Sequence, residues 1–311
     1  MTVFEEEPLF HRAAEAAGAA ETAETAGAAE TAEAANVADT ANAAEELMLS
    51  LDEGDLHVCL DGPRKAPALL LVHGSASSVR SWDRLVPLLS TAHRVIRIDL
   101  PGHGRSAEPA GRRYGIPAQA HAVGTALDRL GIAHAVAVGH SSGGYAVTAL
   151  AGQRPELVTA LALINTGPAL EAFIAPDSAP PDPAEWPPSD EEIRRFSGSG
   201  FRAGYEIPQE FVDELRGMNL HAISAAMQGS LAHLKEQPLP ERLAALGKPL
   251  QVIFGDQDRR WRPSSAADYR LVPGAQITML PGAGHTPILE DPPRTAALLL
   301  AFTSESPAAR W

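Results

Sequence analysis

The stretch Ala135-Val136-Ala137-Val138-Gly139-His140-Ser141-Ser142-Gly143-Gly144 decides how this chain folds. Its first four residues are an apolar, partly β-branched run, the composition of a parallel strand buried on both faces. Gly-x-Ser-x-Gly follows at 139–143, and Tyr145–Gln153 then favours helix. A strand, a tight turn and a helix in such short succession leave no space for side chains flanking the turn, and glycine at 139 and 143 supplies that space. The pattern predicts Ser141 in a strained conformation at the strand's end, with its Oγ exposed. The helix N-terminus behind it points N–H groups at any anion that forms there.

Outward from this stretch, strand and helix patterns alternate. Leu47–Leu51 and Leu56–Leu60, separated by Asp52-Glu53-Gly54-Asp55, read as a β-hairpin. Ala68–Val72 is a continuous apolar run, hence a central strand. Val79–Leu89 has helical periodicity, Arg94–Asp99 is a strand, and Pro117–Leu130 is an amphipathic helix. Further strands are expected at Leu157–Ile164, Leu250–Phe254 and Gln276–Leu280, with a last helix near Pro293–Phe302. This order predicts an α/β fold with a mostly parallel sheet and helices on both faces. Residues 168–240 interrupt it. They show no strand pattern; Ala175–Pro188 is proline-rich loop, and Glu210–Arg216 and Leu220–Lys235 look helical.

The formal net charge of the 311 residues is -14, and it is unevenly spread. Residues 1–50 carry 11 of the 39 acids and one of the 25 bases. The remainder is near balance and shows no clustered cationic surface for nucleic acid. Gly18–Ala26, Gly27–Ala35 and Asn36–Ala44 form a nine-residue repeat. Nine residues make two and a half helical turns, so successive copies face opposite sides and no continuous apolar stripe results. Residues 1–46 therefore read as an acidic tail, disordered or transiently helical, with a docking arm for a protein partner as the alternative. The lone cysteine, Cys59, excludes an intramolecular disulfide. The N-terminus lacks the features of a secretory signal, and no apolar run approaches the ~20 residues needed to span a bilayer. A cytoplasmic protein with no membrane association is expected.

The Gly139–Gly143 motif, His73-Gly74, Asp99–Ser106, Gly255–Asp258 and Gly284-His285 occur in an order that resembles the α/β-hydrolase superfamily, specifically its serine esterase-like members. The resemblance runs from about Leu47 to Phe302. It implies a core at 47–167 and 241–303, a helical cap at 168–240 and a short tail at 304–311. It also implies acyl transfer to a serine, which needs a base, a group to orient the base, and donors for the oxyanion. Ser141 is then the nucleophile. His285, directly after a strand, is the base. The family's Gly-x-x-Asp spacing selects Asp258 as the acid, with Asp256 as its competitor. Backbone N–H groups of Ser142 and Ser75 are the expected oxyanion donors.

Other residues invite less chemistry. The Asp99–Ser106 loop reads as structural, so His103 is not expected to be catalytic, and His140 is expected to pack. Cys59 reads as a small packing residue. No Cys/His spacing suggests zinc and no Gly-x-Gly-x-x-Gly follows a strand, so neither metal nor cofactor is expected. Met218, Leu220, Ile223, Met227 and Leu231 recur at roughly helical spacing. They read as a stripe packing the cap onto the core, or, in part, as a pocket wall to which Met218 and Met227 contribute adaptable thioethers. The loop Ala175–Pro188 would suit a lid. The expected partner is a small-molecule carboxylic ester, lactone or thioester. A C–C bond hydrolase, an acyltransferase and a non-catalytic ligand receptor are the alternatives. Serine in place of aspartate at 141 argues against the epoxide hydrolases and haloalkane dehalogenases.

Overall fold

The structure, a computed structural model, describes residues 44–175 and 186–305. The repeat at 18–44, except its last residue, most of the proline-rich 175–188 segment and residues 306–311 lie outside the described residues.

Eight strands form one sheet: β1 (Glu45–Leu49), β2 (Leu56–Asp61), β3 (Ala68–Val72), β4 (Arg94–Ile98), β5 (Ala135–His140), β6 (Val158–Ile164), β7 (Leu250–Gly255) and β8 (Gln276–Leu280). Their order across the sheet is β1-β2-β4-β3-β5-β6-β7-β8. The hairpin β1–β2 and the β2–β4 pair are antiparallel, and the remaining pairs are parallel. The expected mostly parallel sheet is thus found, with the first strand starting two residues earlier than its sequence pattern suggests.

The apolar runs split by the two-residue period of a strand. Leu70, Val72, Ala137, Leu161, Leu163 and Val252 face one side, where they pack with Ile116, Val123, Leu127, Val147 and Leu150. These belong to α1 (Ile116–Arg129) and α2 (Gly143–Gln153). Leu69, Leu71, Val136, Val138, Ala160, Ala162 and Ile253 face the other side, where they join Trp82, Leu85, Leu299 and Phe302. Two hydrophobic layers therefore clamp the central strands, and β5 is buried along its whole length.

Between β5's neighbour β3 and β5 itself the strand order reverses direction. Loops leaving the C-terminal ends of strands diverge at such a point and open a crevice. The His73-Gly74-Ser75 loop and the Ser141 turn leave the two strands flanking it, which brings distant segments of the chain side by side.

Residues 186–246 fold as helices: α3 (Asp190–Ser197), α4 (Gln209–Gly217), α5 (Leu220–Glu236) and α6 (Leu239–Leu246). α7 (Pro292–Glu305) closes the fold. α3 and α6 were not anticipated. α3 begins with a capping box in which Ser189 and Glu192 satisfy each other's backbone N–H. The Val79–Leu89 helix is instead a 3-10 turn at Val79–Trp82 and one α-helical turn at Val86–Leu89. Pro87 explains the break, because it has no N–H to continue a preceding helix but fits a first turn.

Candidate active site

Ser141 sits where β5 ends, with φ +53. That left-handed conformation is uncommon for a residue with a side chain and is held by its surroundings. Its N–H donates to the Ile164 carbonyl (2.9 Å), and its own carbonyl accepts from Thr166 Oγ1 (2.9 Å). The glycines are required sterically. A Cβ on Gly139 would run into the backbone of Gly143 and Gly144, and one on Gly143 into the carbonyls of Val72 and His73.

Three side chains from separate loops meet here. Ser141 Oγ lies 3.0 Å from His285 Nε2, and His285 Nδ1 lies 2.9 Å from Asp258 Oδ2. His285 and Asp258 are buried, while Ser141 is half-buried. Asp258 Oδ1 accepts the backbone N–H groups of Arg260 (2.7 Å) and Trp261 (3.1 Å), and Oδ2 also accepts Asn165 Nδ2 (2.7 Å). Burial alone would raise the Asp258 carboxyl. The charge and hydrogen bond of His285, with the Asn165 and Arg260 donors, outweigh it and hold the group below its ordinary range. Asp256, the competing acid, is exposed and accepts the Gly282 N–H (2.7 Å) instead.

The backbone around His285 is fixed on both sides. Glu290 accepts the N–H groups of Gly284 (2.9 Å) and Thr286 (3.1 Å). His140 does more than pack: its Nε2 donates to the His285 carbonyl (2.9 Å), with the edge of Trp82 against its ring. Burial, then the neighbouring His285, pushes His140 down to about 3, so it is neutral at ordinary pH. His73 Nδ1 donates to the Gly74 carbonyl (2.7 Å) and its Nε2 accepts the Leu100 N–H (2.9 Å), which sets its tautomer. His103 stacks at a tilt against His73 and is pushed down to about 4 by burial. Asp99 organises the following loop, accepting from Val79 N–H (2.7 Å), Arg105 N–H (2.9 Å) and His57 Nδ1 (2.8 Å).

Ser75 and Ser142 lie together, on opposite sides of the crevice. Ser75 N–H donates to Ser142 Oγ (2.7 Å), and the two hydroxyl oxygens are 2.9 Å apart. The Ser142 side chain thus occupies the donor that the sequence assigns to an oxyanion.

Two cavities of about 60 and 80 Å³ flank Ser141 and share Ser75, Met227 and Arg260 in their walls. Phe211 and Leu215 of α4 wall the first, and Leu231 and Leu234 of α5 the second. Met227 is therefore placed beside Ser141. Met218 is not. It lies on the surface of a separate pocket with His57, Arg97 and Asp99. The apparent stripe from 218 to 231 spans two elements: Met218 ends α4 in extended conformation, and Asn219 caps α5 anew by accepting the N–H groups of His221 and Ala222.

In that separate pocket Glu46, His57 and Cys59 bring ligating atoms within 4.8 Å of one another. Arg105 bonds Glu46 and stands 3.3 Å from His57 Nε2, so a guanidinium fills the place a cation would take. Burial pushes the Cys59 thiol up to about 11, so it is protonated at ordinary pH.

Asn165, Glu290 and Arg260 hold or line the site without having been assigned a role from sequence. Position alone could have flagged Asn165, a polar residue directly after the apolar run of β6.

A model of the Alpha/beta hydrolase family matches residues 69–298. A Bacillus subtilis protein provisionally assigned as 2-succinyl-6-hydroxy-2,4-cyclohexadiene-1-carboxylate synthase is 26% identical over 75% of this chain and 88% of its own length. The sn-1-specific diacylglycerol lipase of Mus musculus is 27% identical over 73% of this chain and 77% of its own. Among solved structures, a hydrolase from Pseudomonas aeruginosa PA01 superposes with TM-score 0.66 at 27% identity, covering 84% of this chain and 98% of that one. No helix among the described residues is long and apolar enough to cross a membrane. The matched span takes in the Ser141 turn, the Asp258 loop and the His285 loop, and the chain belongs to the Alpha/beta hydrolase family.

Proposed function

We propose that this α/β-hydrolase cleaves a carboxylic ester, lactone or thioester of a small molecule through an acyl-enzyme on Ser141. The observation that carries the reading is the continuous contact Ser141 Oγ–His285 Nε2 and His285 Nδ1–Asp258 Oδ2, at 3.0 and 2.9 Å. His285 takes the Ser141 hydroxyl proton as Oγ attacks the carbonyl carbon. Asp258 accepts from Nδ1–H and stabilises the imidazolium as it forms. The oxyanion is held by the N–H groups of Ser142 and Ser75, and the Ser142 hydroxyl swings off Ser75 N–H as the negative charge develops. His285 then protonates the leaving group. Water, deprotonated by the same imidazole, attacks the acyl-enzyme and restores Ser141. No step requires a metal or organic cofactor. We place the reaction in the cytoplasm, in line with the expectation from sequence.

The test is hydrolysis of 4-nitrophenyl esters of increasing acyl length by wild type and Ser141→Ala. We expect turnover by wild type with a short-chain optimum, given the small cavities, and a loss of at least 10³-fold in the variant with the fold intact. Equal turnover by both proteins would overturn the assignment.

A further inference from the structure

Arg260 is the cationic side chain in the walls of both cavities beside Ser141, and among the described residues it makes no ion pair. Its main chain is fixed: the N–H donates to Asp258 Oδ1 (2.7 Å) and the carbonyl accepts from Ile174 N–H (2.9 Å). The side chain leaves this anchor toward Gly200 and the cavities. Nε is sealed from solvent without a hydrogen-bond partner. Among the described residues no carboxylate lies within 4.0 Å of the guanidinium. Three other partly buried arginines do have carboxylate partners: Arg97 pairs with Asp61 and Asp83, Arg202 with Glu290, and Arg216 with Asp190 and Asp213.

Arg260 is half-buried, with its Nε sealed from solvent and unpartnered, and the cost of that burial is offset when an anion arrives. Burial accordingly pulls Arg260 below its ordinary value, only partly opposed by the charge of Asp258. The remaining walls hold no carboxylate: they combine Phe211 and Leu215 on one side, and Leu231, Leu234 and Trp261 on the other, with neutral serine hydroxyls such as Ser75. The complement to a largely apolar crevice with one cationic planar fork of donors is a short apolar segment ending in a carboxylate, which a guanidinium binds with two parallel hydrogen bonds.

We propose that Arg260 is an anion-binding subsite, and that the preferred substrates are esters or thioesters carrying a carboxylate a few atoms from the scissile carbonyl. This rests on the serine-hydrolase reading for its chemistry but not for the binding itself. Arg260 sets specificity and takes no part in bond making.

Two matched pairs test it: mono-4-nitrophenyl glutarate against 4-nitrophenyl valerate, and 3-acetoxybenzoate against phenyl acetate. They place the charge on the acyl side and the leaving side. We expect wild type to favour the anionic member of one pair by at least tenfold in kcat/KM. Arg260→Gln should reduce that ratio at least tenfold, mainly through KM, and Arg260→Lys should keep part of it. No preference in either pair, or an equal loss on charged and neutral members, would overturn the proposal; the second result would make Arg260 a partner of Asp258 instead. A binding arm separates this from the hydrolase reading. Glutarate should raise the Tm of Ser141→Ala and leave that of Ser141→Ala/Arg260→Gln unmoved, whether or not any ester is cleaved. Equal shifts, or none in either, count against the subsite.

Discussion

Asn165 Nδ2 lies 2.7 Å from Asp258 Oδ2 and 3.1 Å from the Gly284 carbonyl, so one amide ties the acid to the loop that carries His285. Asn165 Oδ1 also accepts the Gly255 N–H (3.3 Å), and the residue is fully buried with φ +46, a region asparagine tolerates better than most. A hydrogen bond to a charged group contributes about 1.5–3 kcal/mol. Asn165→Ala is therefore expected to lower kcat by roughly 10–100-fold with little change in KM. Asn165→Gly, which relieves the backbone conformation but restores no donor, should be as inactive. Full activity in Asn165→Gly would show that the amide does not position Asp258.

Ser142 is expected to restrain the reaction in the resting state. In the proposed mechanism its hydroxyl leaves Ser75 N–H before that donor meets an oxyanion, and a neutral hydrogen bond is worth about 0.5–1.5 kcal/mol net. Ser142→Ala should then raise kcat by about two- to tenfold. Steady-state kinetics on a 4-nitrophenyl ester reads this directly. A fall in kcat would assign the hydroxyl a supporting role in place of an occluding one.

Stability should decline on mild acidification. His73, His103 and His140 are buried, and burial holds all three below the ordinary 6.5. Below that pH the unfolded chain binds protons that the folded one refuses, so unfolding gains as pH falls from 6.5 toward about 4 for His103 and about 3 for His140. Each contributes up to about 1.4 kcal/mol per pH unit in that window, and nothing above it. Thermal melts at pH 7 and pH 5 should show the lower Tm at pH 5, and His103→Leu should narrow the gap. Equal Tm values would mean that these rings protonate in place.

The parts legible in sequence were those governed by local pattern. Ala68–Val72 and Gln276–Leu280 coincide with β3 and β8 because an apolar or alternating run bounded by turn residues leaves few alternatives. Ser141, Asp258 and His285 stood out because each follows such a run. What failed depended on where an element breaks. Met218 fits a helical stripe only if no cap intervenes, and Asn219 is that cap. Arg260 sits in Asp258-Arg259-Arg260-Trp261-Arg262, a segment with three arginines and no apolar period to single one out. Which of its arginines points inward is settled by two backbone N–H groups closing on Asp258, a three-dimensional fact with no sequence period.

Ser141, Asn165, Asp258 and His285 follow β5, β6, β7 and β8, four adjacent strands, and the last of these is the outer edge of the sheet. β5 is sealed on both faces, whereas β8 is mostly half-buried or exposed. His285 thus follows an edge strand that is sealed on neither face, and Ser141 follows a strand sealed on both. Under the proposed mechanism, losing function and losing the fold become separable events: warming or denaturant is expected to displace His285 while the hydrophobic layers around β5 stay shut. A culture-temperature limit on this enzyme would then be set at its edge, well before its core gives way.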